Sequence, residues 1–213
     1  SGPALQPARA DPGTVTPLIV LPAAGSSSRM RGRDKLLETV DGVPLLRRQA
    51  LAALETGLPV AVTLPRGADA RRDALADLPL DLRDIADADE GLSASLRAAQ
   101  AMLATNQSLG ILLPDVPGIG VADIQAVLDR FLDLREARVT RGGRMGDDRP
   151  GTPLFLPHAI AIRFAGLTGD DGGRSVLRDE EVELVRFPDD RAVRDLDTPE
   201  AWAEWRRDSG TAR

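Results

Sequence analysis

The 213-residue sequence contains no cysteine. That absence excludes disulfides, cysteine-ligated zinc, iron–sulfur clusters and a thiol nucleophile together. Histidine occurs once, at His158, so there is no histidine cluster for a metal and no histidine acid–base pair. A Ser-His-Asp hydrolase is correspondingly disfavoured. No stretch approaches the roughly 18 apolar residues of a membrane span. No signal-peptide pattern opens the chain, which starts Ser1-Gly2 in the manner of a tag-cleavage remnant. The cytoplasm is the expected location, and a membrane partner is not. Positive charge is also in deficit. The 27 basic and 33 acidic residues leave a formal net charge of −6, which disfavours a nucleic-acid surface. Lysine is nearly absent: only Lys35 is lysine, and every other basic residue is arginine. A lone lysine either marks a position that needs a compact ammonium and not a planar fork, or falls there by chance in an arginine-biased chain.

What is present is ordinary for a soluble globular protein, at 42% hydrophobic and 28% charged residues. The length suits one domain, which buries about 70% of its unfolded surface and needs no covalent staple. Residues 1–16 are rich in proline without apolar periodicity and read as a flexible leader, leaving 17–213 as a single domain. Leu18-Ile19-Val20-Leu21 is a continuous apolar run, the pattern of a strand buried on both faces. The patterning then predicts helices over 44–55, 68–75, 92–103 and 121–134, with strands over 59–64, 82–85, 109–113 and 138–140 between and after them. A Gly/Arg/Asp-rich loop is expected up to Gly151, then a helix over 159–164, a strand over 182–187 and a last helix from Pro199. Alternation of this kind predicts a three-layer α/β domain with a mostly parallel sheet.

Five segments carry polar chemistry. The loop from Ala23 to Lys35 follows the first strand directly. It combines small residues, which let backbone N–H groups approach an anion, with Arg29, Arg31, Arg33 and Lys35. Phosphate binding is the favoured reading over a solvated glycine/serine loop. The loop is neither a Walker A motif nor a dinucleotide fingerprint. Asp115 follows the 109–113 strand between Pro114 and Pro117, where it either forms a turn or presents a fixed oxygen ligand to Mg²⁺. In Asp195-Leu196-Asp197-Thr198-Pro199, Asp197 or Thr198 caps the helix, or Asp197 is a second metal carboxylate. Gly169 to Ser175 is a surface turn or an anion pocket at a helix start, and Gly91 to Leu96 is another loop-to-helix entry that Ser93 could cap. Trp202 and Trp205 read as an apolar stripe, His158 as structural or surface. The pairs Arg47-Arg48, Arg71-Arg72 and Arg206-Arg207 read as solvated helix faces.

Together these residues resemble the nucleotidyltransferases of molybdenum cofactor maturation. That family opens on Leu-Ala-Ala-Gly-x-Ser-x-Arg-Met-Gly-x-x-Lys. This chain has Pro22-Ala23-Ala24-Gly25-Ser26-Ser27-Ser28-Arg29-Met30-Arg31-Gly32-Arg33-Asp34-Lys35, then Gly42-Val43-Pro44-Leu45-Leu46. The lone lysine falls on the family's lysine. The likeness continues, in family order, at Ser95-Leu96, Asp115-Val116-Pro117, Gly151-Thr152-Pro153, Gly169-Asp170 through Arg174, and Asp195 to Glu200. Departures are Pro22 for leucine, Arg31 where the family has Gly or no residue, and Val116 for Met or Gln.

The resemblance implies a Rossmann-like nucleotidyltransferase fold with Mg²⁺, or Mn²⁺ in its place, and attack by the phosphate of molybdopterin on a nucleoside triphosphate. It implies nucleotide binding by Ala23, Ala24, Gly25, Ser26, Ser27, Ser28, Arg29, Lys35 and Ser95. It implies catalysis by Lys35, Arg29 and Asp115, metal binding by Asp115 and Asp197, and acceptor contacts at Asp170 and Arg174. Members with Ala-Ala-Gly in the first loop tend to use CTP and those with Ala-Gly-Gly tend to use GTP, so Ala24 implies CTP. A molybdoenzyme of the xanthine dehydrogenase type, or its chaperone, is the implied receiver. The alternatives are a guanylyltransferase, a sugar-phosphate nucleotidyltransferase, a non-catalytic molybdopterin carrier and a nucleotide-sensing module.

Overall fold

The computed structural model describes residues 15–25 and 28–210. The expected leader therefore lies outside the described residues except for Val15 and Thr16, and the Thr16 carbonyl accepts a hydrogen bond from Gln107 Nε2 at 2.9 Å.

In chain order the strands are β1 (Leu18–Pro22), β2 (Thr39–Val40), β3 (Val43–Pro44), β4 (Val60–Pro65), β5 (Asp81–Ile85), β6 (Leu109–Ile111), β7 (Val139–Arg144), β8 (Pro150–Leu156) and β9 (Val182–Phe187). The helices are α1 (Leu45–Leu54), α2 (Asp69–Asp73), α3 (Leu92–Ala101), α4 (Val121–Asp133), α5 (His158–Ala161), α6 (Arg174–Leu177) and α7 (Pro199–Ser209). Seven strands form one sheet in the order β5-β4-β1-β6-β8-β7-β9, while β2 and β3 pair with each other. Only β8 runs against its neighbours in the large sheet. All its other pairings are parallel.

The apolar run of β1 explains its central place. Ile19 and Leu21 project into a core shared with α1 and α4, through Leu46, Ala50, Ile124 and Phe131. Leu18 and Val20 project the other way, against Leu96 and Ala99 of α3 and against Phe164 and Val176. A strand buried on both faces has no solvent side to make polar, so it reads as an unbroken hydrophobic run. The expected three-layer α/β architecture is the one observed. A smaller core joins Trp202 and Trp205 of α7 to Met30, Val40, Leu45 and Leu196, so the two tryptophans form the expected apolar stripe. That stripe seats the last helix on the segment between β1 and α1.

The chain leaves β1 towards β4 on one side, and β6 lies on the other. The carboxyl ends of β1 and β6 thus flank a topological switch point, the crevice where open α/β sheets bind ligands.

Three expectations need correction. The stretch up to Gly151 is not a loop: it forms most of β7 and the start of β8, joined by a short connection. Its glycines depress strand propensity, yet Gly142 and Gly151 are required by backbone crowding. A Cβ at Gly142 would stand 2.6 Å from the Thr152 carbonyl oxygen, and one at Gly151 would stand 2.0 Å from that of Ala192. Ser93 does not cap α3; Gly91 occupies that position, and the buried Ser93 hydroxyl instead accepts a hydrogen bond from Gly172 N at 3.1 Å. The paired arginines are not simply solvated. Arg47 forks onto Asp77 at 2.5 and 2.8 Å. Arg48 donates to the Pro117 carbonyl. Arg206 lies 4.8 Å over the Trp202 ring and donates to Glu38 at 3.0 Å. His158 is structural, its Nδ1 paired with the Gln107 carbonyl at 2.9 Å.

The contact at Gly151 sets a stability test. Gly151→Ala forces β8 away from the Ala192 segment and is expected to cost about 1–3 kcal/mol in urea unfolding. Gly166→Ala meets open space and is expected to change stability by less than about 0.5 kcal/mol.

Candidate active site

Ala23 and Ala24 continue β1 as buried residues, and Ala23 N donates to the Thr63 carbonyl at 3.0 Å. Ser26 and Ser27 lie outside the described residues, and of Ser28 only the backbone is described, opening a turn of 3-10 helix through Met30. The chain then reverses through Arg31 at φ +53° and Gly32 at φ +85°. Arg31 thus takes up a left-handed backbone conformation, which glycine adopts without steric cost, at the position where the resembled signature has Gly or no residue.

Both ends of this loop are held by Arg71, which α2 places beneath it. Arg71 Nη1 donates to the carbonyls of Ala23 at 2.6 Å and Gly25 at 3.0 Å. Its Nε and Nη2 fork onto Asp34 at 2.6 and 3.0 Å. Arg71 is 6% exposed, so the expectation of a solvated arginine is overturned here most clearly. A five-residue helix gives periodicity too little length to distinguish a buried face, and the sequence offers no other signal for this residue.

Past the loop, Lys35 Nζ donates to Asp115 Oδ2 at 2.6 Å and to Asp197 Oδ1 at 2.5 Å. Arg29 reaches the other Asp197 oxygen at 3.0 Å. Burial disfavours the Lys35 ammonium, but attraction to Asp115 and hydrogen bonds to both carboxylates outweigh it, so its pKa lies above the ordinary 10.5. Lys35 is therefore a fixed positive charge at neutral pH.

The two carboxylates arrive from segments 82 residues apart by sequence number. Asp115 ends the turn after β6. Its carbonyl accepts from Leu196 N at 3.0 Å, which brings the segment before α7 alongside. Thr198, not Asp197, caps α7, accepting from Ala201 N at 3.2 Å. The Asp197 carboxylate is left for the site. Asp195 joins it: one oxygen each from Asp115, Asp195 and Asp197 lie within 4.8 Å of one another. Three hard oxygen donors beside a clasped ammonium fit a divalent cation of the Mg²⁺ or Mn²⁺ kind.

Ser95, on the first turn of α3 and buried, lines a cavity of about 220 Å³ together with Gly25, Lys35 and Asp115. A larger cavity of about 680 Å³ shares the walls Leu92 and Leu113 with it. Arg29, Arg174 and Arg141 line this second space. The structure thus gathers Gly25, Arg29, Lys35, Ser95, Asp115 and Asp197 around one centre and places Arg174 in the adjoining cavity. Asp170 lies on the turn Gly169–Asp171 just before α6, its side chain outside the described set. Sequence reasoning missed Arg71 and Arg141. Arg141 falls in the expected Gly/Arg/Asp-rich loop, where nothing separates it from the many other arginines.

The fold has known counterparts. Residues 19–185 match the MobA-like NTP transferase domain. A Burkholderia lata protein described as molybdenum cofactor guanylyltransferase is 31% identical over 196 residues, covering 85% of this chain and 92% of that protein. The crystal structure of Rv0371c from Mycobacterium tuberculosis H37Rv superposes with a TM-score of 0.74 at 24% identity, covering 90% of this chain and 97% of the other. A complex of that protein with manganese superposes at 0.70 and 23% identity. With a match across most of its length and the switch-point site in place, this chain belongs to the MobA-like NTP transferase family of nucleotidyltransferases.

Proposed function

We propose that this protein transfers CMP from CTP to the phosphate of molybdopterin and releases pyrophosphate. An acceptor phosphate oxygen attacks the α-phosphorus, and the bond from that phosphorus to the pyrophosphate oxygen breaks. The observation that carries this reading is the Lys35 ammonium held between Asp115 and Asp197 at the switch point. In-line displacement at phosphorus calls for positioning and charge neutralisation more than for proton transfer, which suits a site without histidine.

In this reading the amides from Gly25 to Ser28, with Arg29, hold the β- and γ-phosphates. Lys35 places a point charge at the α-phosphate. Asp115 and Asp197 hold Mg²⁺ or Mn²⁺, with Asp195 within reach. When bound, the cation neutralises charge on the nucleotide and acceptor phosphates. The description of the M. tuberculosis protein as a complex with manganese supports a divalent ion in this reading. The larger cavity, with Arg174, takes the acceptor, and Asp170 borders it. The product then passes to a molybdoenzyme of the xanthine dehydrogenase type.

Ala24 supports CTP. It is 3% exposed and packs with Ile85 and Ala94, so its methyl group fills space that the Gly of the GTP-type signature leaves open. A second reading, guanylyl transfer, is favoured by the description of the Burkholderia relatives as guanylyltransferases.

Pyrophosphate release with Mg²⁺ and molybdopterin, measured with CTP and GTP in parallel, separates these readings. Release with CTP and little with GTP is the expected result. Preference for GTP keeps the chemistry and discards the base, whereas tight nucleotide binding without release moves the protein to the carrier reading. Lys35→Ala and Asp115→Asn are each expected to lower kcat by on the order of 10²-fold or more; near-normal turnover in either removes that residue from the mechanism.

Arg71 gives an independent test. Arg71→Met frees both ends of the phosphate loop, and a displacement of about 1 Å in a binding group can cost on the order of 10²-fold. The expected result is a KM for the triphosphate raised at least tenfold with the KM for the acceptor unchanged. An equal rise in both would show general loss of structure.

A further inference from the structure

The larger cavity contains a charge that the proposed chemistry does not use. Arg141 of β7 pairs in register with Leu154 of β8, and Leu154 pairs with Ile111 of β6. Directly paired residues point to the same face of a sheet. All three side chains line the cavity. Arg141 therefore emerges on an otherwise apolar face, among Leu96, Leu154 and Phe164.

The backbone is shaped to put it there. The ladder between β7 and β8 shifts register between Arg141 and Gly143. Bulges of this kind re-aim a side chain beside a site. Gly142 makes this one possible, since any side chain there would meet the Thr152 carbonyl. The guanidinium is then oriented by a fork onto one acceptor: Nε and Nη2 donate to the Gly151 carbonyl at 2.9 and 2.7 Å. Among the described residues Nη1 has no protein acceptor and Arg141 has no carboxylate partner. Most arginines of this chain do pair with acids. Burial without a counter-charge pulls the Arg141 pKa down to about 10. A desolvated, unpaired cation is costly unless an anion meets it. Arg174, at the start of α6, lines the same space and also lacks a carboxylate partner among the described residues.

We propose that Arg141, with Arg174, forms an anion subsite that receives a second anionic group of the acceptor, separate from the phosphate that attacks the nucleotide. The inference rests on the reading of this cavity as the acceptor's. Lys35 lines the smaller cavity and Arg141 with Arg174 the larger, so the charges face different spaces. The substrate class is then a molecule with a second anionic group besides its phosphate and an apolar face lying against Leu96, Leu154 and Phe164.

Two measurements test this, with Arg141→Met and Arg141→Lys as variants. Arg141→Met keeps the apolar volume, and Arg141→Lys keeps the charge without the fork. In turnover with CTP and molybdopterin, Arg141→Met is expected to raise the acceptor KM at least tenfold and to leave the triphosphate KM within twofold, with partial recovery in Arg141→Lys. In equilibrium binding without nucleotide, followed by ligand fluorescence, pterin-6-carboxylate is expected to bind the wild-type protein at least fivefold more tightly than unsubstituted pterin. Arg141→Met should abolish that advantage. If the wild type shows the advantage but releases no pyrophosphate with molybdopterin, the subsite stands and the proposed reaction falls. If turnover proceeds and Arg141→Met changes neither the acceptor KM nor pterin-6-carboxylate binding, the reaction stands and the subsite is overturned. Wild-type protein that binds the two pterins equally, or neither, overturns it as well.

Discussion

The ammonium of Lys35, shared between the carboxylates of Asp115 and Asp197, joins three segments that sequence keeps apart. Each alone would be costly in its setting. A half-buried ammonium loses hydration, and two carboxylates at one centre repel. Together they satisfy one another, and the low local dielectric that makes isolation expensive makes the pairing strong. Removing any member leaves the others uncompensated. The geometry of β1, β6 and α7 converges on this point: the strands deliver the lysine loop and Asp115 at one edge, and the Trp202–Trp205 stripe seats the helix that follows Asp197.

A sheet with one reversed strand divides the labour around that centre. The parallel half, β5-β4-β1-β6, supplies the loop-bearing edge. Inserting β8 antiparallel beside β6 sends the chain back across the sheet, so that β8 and β7 wall a second cavity next to the first. Two ligands that must meet at one phosphorus need adjoining spaces of different character. The smaller space is bordered by Lys35, Asp115 and Ser95, and the larger by aliphatic side chains, a phenylalanine and arginines.

Much of this was legible in the residues. The β1 run announced a doubly buried strand because burial on both faces leaves no polar period. Residue type and order single out the lone lysine, Asp115 and Asp197, and the structure brings them together. What stayed hidden depended on tertiary contact. Gly142 and Gly151 looked like loop residues because their role is to admit a neighbouring backbone, which leaves no trace in local pattern. Ser93 looked like a cap because hydroxyls at helix starts usually are; here Gly172 claims it. Arg71 looked solvated because nothing in sequence distinguishes an arginine that forks onto Asp34 from one that faces water.

The grip of Arg71 on the loop after β1 has an evolutionary aspect. Its bonds to Ala23, Gly25 and Asp34 fix the two stems of the loop. A loop anchored at its base can gain or lose a residue at its tip without shifting the scaffold, since lengthening a closed loop costs little entropy. Arg31, absorbed in a left-handed turn beside Gly32 and paired with Glu200 at the surface, is such a residue. The clamp that steadies the stems thereby lets the loop carry an extra residue at Arg31 while the strand and helix it connects to keep their places.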